Sequence, residues 1–135
     1  LPLAVFTGID RGWFASEATL PAGTVEVTLT NFAITPSADI TTETTTLRVA
    51  HDEAGHAHSG SGPGQTHDLL LFRDTAGGER ELVTRSTELK PGQSQDLAVQ
   101  LTPGTYELEC DVVEMVDGKP VSHVVEGMRR TITVS

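Results

Sequence analysis

The chain has a single cysteine, Cys110. An intramolecular disulfide is therefore excluded, and so is any zinc finger or iron–sulfur cluster built from several thiolates. Aromatic residues make up only 4% of the composition, so small and branched aliphatic side chains must fill the core. No apolar run approaches the ~18 residues that would cross a bilayer, so no transmembrane segment is expected. Basic residues are also scarce, 9 against 19 acidic ones, for a formal net charge of −10. Such a surface repels nucleic acid and anionic lipid. It suits a basic partner or a cation, or serves solubility alone. Long amphipathic helical patterns are absent. No Ser-His-Asp order or paired-carboxylate motif stands out, and a second cysteine for thiol exchange is missing, so the chain does not read as an enzyme.

What the sequence does contain is period-two alternation, the signature of half-buried strands. Val25, Val27 and Leu29 alternate with Glu26, Thr28 and Thr30 after the turn residues Pro21-Ala22-Gly23. Leu97, Val99 and Leu101 follow Pro91-Gly92, and Tyr106, Leu108 and Cys110 follow Pro103-Gly104. Ile132 and Val134 close the chain. Leu69, Leu70, Leu71 and Phe72 are consecutive, as in a strand covered on both faces. Short strands broken by Pro-Gly turns predict an antiparallel sandwich or barrel in one domain, residues 1–135, which is long enough for a core of its own. Residues 41–49 read as an edge strand, and residues 75–88 leave room for one short helical turn. Residues 50–66 are polar and Gly-rich and read as a surface loop carrying His51, His56 and His58. Trp13 and Tyr106 read as core residues.

The chemistry gathers in four soft or borderline donors: His67, Cys110, His123 and Met128. Asp117-Gly118, flanked by apolar residues, is a strong hairpin signal. With that turn, Val116 pairs with Lys119, Glu114 with Val121, Val112 with His123 and Cys110 with Val125. Cys110, Val112, His123 and Val125 then share one face, and Met115 takes the other. Cys110 and His123 become diagonal neighbours with Cα atoms about 7–8 Å apart, close enough for one metal ion to bridge. Met128, beyond Gly127, can curl back over them. One thiolate, two imidazoles and a distant thioether form the ligand set of blue copper, which holds both Cu(I) and Cu(II).

Four segments carry a resemblance to the cupredoxin family. LPAGTVEVTLTN (20–31) resembles its second strand, and HDLLLF (67–72) the strand opened by its first histidine ligand. LKPGQSQDLAVQLTPGTYELEC (89–110) resembles the strands leading into its cysteine. HVVEGMRRTITV (123–134) resembles its second histidine, methionine and final strand. The resemblance implies an all-β, Greek-key β-sandwich that binds one copper ion through His67, Cys110, His123 and Met128. It also implies one-electron exchange with a redox or copper-exchange partner outside the cytoplasm, by a monomer. The chain opens at Leu1 rather than Met, which fits removal of a signal peptide or a lipid-anchored start and a periplasmic or extracellular location.

Two departures stand out. An inserted stretch, about 32–66, precedes His67. Twelve residues, the hairpin extension, separate Cys110 from His123, where the family has only a few. Both leave room for a copper-delivery protein of copper homeostasis, with His51, His56 and His58 as a secondary metal site. A metal-free binding module is the third alternative. Asp68, beside His67, either orients the ligands as a hydrogen-bond acceptor or faces solvent. Glu107, Glu109, Asp111 and Glu114 either steer a basic partner or line a wet sheet face.

Overall fold

The computed structural model describes residues 20–52 and 66–135. His56, His58 and Trp13 lie outside them. Among the described residues there are ten strands and no helix.

β1 (Thr24–Thr30) forms where alternation predicts it, with Val25, Val27 and Leu29 buried. Gly23 turns the chain into β1 at φ 82°, and a Cβ there would lie 2.7 Å from Thr45 Oγ1. This entry therefore requires glycine on both conformational and steric grounds. β2 (Ala33–Pro36) folds back on β1, with Leu29 opposite Ile34. β3 (Thr46–His51) runs parallel to β1, with Val27 opposite Val49, and its other edge pairs with β6 (Ser94–Ala98). The first sheet has the order β2-β1-β3-β6.

The second sheet contains β4 (Leu70–Asp74), β5 (Arg80–Arg85), β7 (Gly104–Glu109) and β10 (Arg129–Val134), in the order β10-β7-β4-β5. Val27, Leu29, Leu47 and Val49 from the first sheet share one apolar cluster with Leu71, Tyr106, Leu108 and Val134 from the second. The Tyr106 hydroxyl is not stranded by its burial. It donates to the Thr102 carbonyl at 3.0 Å and accepts from the Thr102 N–H at 3.1 Å. β8 (Val113–Val116) and β9 (Lys119–Ser122) stand apart as a separate hairpin. The all-β Greek-key sandwich expected from the sequence is the observed architecture.

Three local expectations are corrected. The strand expected at 41–49 begins at Thr46, and it lies between β1 and β6 rather than at an edge. Leu47, Val49 and His51 all point into the core, which explains its central position. Residues 41–44 form a turn instead, closed by Thr44 N–H to Thr41 O and Thr41 N–H to Thr44 Oγ1, both at 3.0 Å. The sandwich is also not purely antiparallel. β2 and residues 37–45 supply the crossover that a parallel β1–β3 pair requires. The helical turn allowed at 75–88 is strand β5. Being an exposed edge strand, it has little apolar alternation to announce it. Two strands, β2 and β3, therefore fall within the stretch read as an insertion.

Candidate metal centre

The donors sit where strands end. Cys110 follows β7, His123 follows β9, Met128 precedes β10, and His67 lies three residues before β4. His67 is pinned by a two-bond bridge to Leu89, N–H to carbonyl at 3.0 Å one way and 2.7 Å the other. Asp68 N–H donates to Cys110 Sγ at 3.4 Å. The Asp68 carboxylate accepts from Asp111 N–H and from Arg85, each at 3.0 Å. It thus clamps the His67 segment to the Cys110 segment, and it is buried rather than facing solvent. Burial, with Asp111 adding to it, pushes the Asp68 carboxyl up to about 7.

The hairpin register is the expected one from Val116–Lys119 through Glu114–Val121, and His123 N–H donates to Val112 O at 3.0 Å. Asp117, at φ 53°, and Gly118, at φ 78°, make the turn. The ladder ends there. Residues 123–127 coil, with Gly127 N–H donating to Val124 O at 3.1 Å. Cys110 N–H therefore meets Met128 O at 3.1 Å instead of pairing with Val125, and Val125 is exposed rather than on the donor face. Met115 is exposed on the opposite face, as expected. Met128 is fully buried, and its N–H donates to His123 O at 2.9 Å. Its backbone is thus tied to both His123 and Cys110.

His67, Cys110 and His123 converge, and all three are fully buried. The two Nδ1 atoms are 3.2 Å apart, and Cys110 Sγ lies 3.5 Å from His123 Nδ1 and 3.9 Å from His67 Nδ1. The point equidistant from these atoms is roughly 2.1 Å from each, matching metal bonds of ~2.0 Å to imidazole nitrogen and ~2.3 Å to thiolate. Two ring nitrogens this close repel if both present lone pairs, and either a proton or a cation between them relieves that repulsion. Burial pushes the Cys110 thiol up to about 12, so a metal ion that binds the sulfur must displace its proton. The donor set and its spacing fit a soft or borderline metal ion.

Sequence reasoning missed the groups around the donors. His51 is not on a surface loop. It ends β3, is buried, and stacks on His67 with ring centroids 4.5 Å apart. Phe32, at φ 67°, sets its ring against His123 edge-on at 5.3 Å. Glu114 Oε2 lies 2.8 Å from His123 Nε2, at ion-pair distance rather than in full hydrogen-bond alignment. Parity could have found Glu114, because it shares the Cys110–Val112 face of the hairpin. The other three acidic residues meet cations of the chain: Glu107 and Glu109 face Arg80 and Arg129, and Asp111 faces Arg85 at 3.4 Å. Their charge is largely answered within the molecule, which weakens the steering reading.

A solved structure resembles this one. Dithionite-reduced auracyanin from the photosynthetic bacterium Roseiflexus castenholzii is similar at a TM-score of 0.54 and 17% identity, over 86% of this chain and 99% of that one. The fold is that of the cupredoxins. No protein-family model and no curated protein matches the chain. Within this cupredoxin fold, His67, Cys110 and His123 are the described residues grouped closely enough to hold a metal ion. Among the described residues, no helix is long and apolar enough to cross a membrane.

Proposed function

We propose that this chain binds one copper ion through His67 Nδ1, Cys110 Sγ and His123 Nδ1, with Met128 as a weak fourth ligand, and works as a one-electron carrier. The observation that carries the proposal is the triangle of two nitrogens and one sulfur, buried and sized for a metal. When bound, copper supplies a reversible Cu(I)/Cu(II) couple, taking one electron from a donor and passing it to an acceptor. The protein's residues keep the donors in place in both states. The Asp68–Asp111–Arg85 clamp fixes the His67 and Cys110 segments, and the hairpin delivers His123. Burial keeps water from the sulfur. The proposal includes a site of action outside the cytoplasm, as the four resembling segments imply, and a basic redox partner to complement the net charge of −10.

Titration with Cu(II) tests the proposal. The expected result is one copper per chain, an intense thiolate-to-copper visible band, and a reversible one-electron couple. A fully loaded but colourless protein overturns it. The twelve-residue Cys110–His123 connection favours a second reading, copper delivery. That reading predicts strong preference for Cu(I) and transfer of the metal to an acceptor protein in place of electron exchange.

A further inference from the structure

We infer that Glu114 is a positioning residue for the metal centre, holding the ring of His123 from behind and strengthening its Nδ1 as a donor. The inference rests on the copper reading above. The hairpin that separates Cys110 from His123 has a definite register, Glu114 opposite Val121 and Val113 opposite Ser122. On such a ladder, residues two positions along are diagonal neighbours, about 7–8 Å apart at Cα, within reach of a long side chain. Glu114 uses that reach. It brings Oε2 to 2.8 Å from His123 Nε2, the ring nitrogen that faces away from Cys110. His123 is fully buried, and its Nε2 has no aligned hydrogen-bond acceptor. The Glu114 carboxylate is within reach of that nitrogen, and a small rotation of either group lets Nε2–H donate to it.

The chemistry follows from which nitrogen carries the proton. With the proton on Nε2 and directed at a carboxylate, the Nδ1 lone pair is left toward Cys110 and His67, at 3.5 and 3.2 Å. A carboxylate behind an imidazole also makes it a stronger donor, and outer partners of this kind are typically worth about tenfold to a hundredfold in metal affinity. A stronger nitrogen donor favours Cu(II) over Cu(I), so Glu114 lowers the reduction potential. His67 has a different support. Its ring is stacked on His51, and its backbone is bonded to Leu89. The hairpin thus brings its own carboxylate for the ligand it delivers.

The test compares Glu114→Gln with Met115→Gln, an exposed neighbour on the opposite hairpin face. Copper affinity in both oxidation states and the reduction potential are measured. Glu114→Gln is expected to weaken Cu(II) binding about tenfold to a hundredfold. Every tenfold by which Cu(II) loses more than Cu(I) raises the potential by ~59 mV. Met115→Gln should change neither quantity. An unchanged potential in Glu114→Gln, or equal shifts in both variants, overturns the inference. Nitrogen NMR of the metal-free protein separates it from the copper reading. Wild type should carry the His123 proton on Nε2, and Glu114→Ala should lose that bias. A wild type that binds no copper defeats the copper reading alone, whereas a His123 ring protonated on Nδ1 in wild type defeats the role of Glu114.

Discussion

The two histidines of the centre are held in different ways. His67 belongs to the sandwich: its backbone bridges to Leu89, its ring lies on His51 of β3, and the neighbouring Asp68 ties it to the Cys110 segment. His123 hangs from a two-stranded hairpin whose outer side leaves Val113 59% and Met115 67% exposed. The first arm draws on the main core, and the second on a turn, an edge-on Phe32 and a carboxylate. Fold stability and metal affinity should therefore respond separately to substitution. The His67 arm should open only with unfolding of the whole domain, whereas the His123 arm should open locally.

The largest effect should come from the vertex shared by both arms. Cys110→Ser is expected to abolish the visible band and most Cu(II) affinity in a copper titration, with little change in the thermal midpoint of the metal-free protein. The arms then diverge. Asp68→Ala strips the acceptor from the Asp111 N–H and should lower metal-free stability by about 1–3 kcal/mol in denaturant titration. Gly118→Val forces a branched side chain onto φ 78° at the hairpin tip, a local cost of about 1–2 kcal/mol. This substitution should weaken copper binding while the midpoint of the sandwich stays nearly fixed. If Gly118→Val unfolds the domain as Asp68→Ala does, the two arms are not independent. Hydrogen exchange gives a gentler reading. In the metal-free protein, amides of β8 and β9 should exchange faster than those of β4 and β7, and copper should narrow the gap.

The smallest effect belongs far from both arms. Arg48 bonds Asp96 at 2.9 Å across β3 and β6, with both side chains substantially exposed. The Arg48 guanidinium holds the Asp96 carboxyl below its ordinary value. Any stability from this pair is present above the unfolded carboxylate range and lost as pH falls through the folded value. Arg48→Ala should therefore barely shift unfolding at neutral pH, and not at all in strong acid.

These arms also show where the sequence is readable. β1 and β7 announce themselves because one face is buried and the other wet, so apolar residues recur every second position. Asp117-Gly118 sets the hairpin register, and parity then puts Cys110 and His123 together without any knowledge of the sandwich. β5 is silent because most of its residues are exposed and its pattern is polar. The central place of β3 could not be read either, since strand order depends on distant partners rather than local alternation. Val125 was misassigned because the ladder stops at His123, where the backbone coils to reach Met128. His51 was hidden by the polar stretch that follows it. Glu114 lay on the right face, but its charge made it look like a residue for water.

The backbone bonds of Met128 have a practical consequence. Its peptide N–H and carbonyl join His123 to Cys110 whatever its side chain carries. The position therefore lends itself to exchange of the buried side chain for leucine or another apolar group of similar bulk, a change expected to leave the crosslink between the two segments in place. On the proposed copper reading, a series of such replacements should shift the potential while the two segments stay joined.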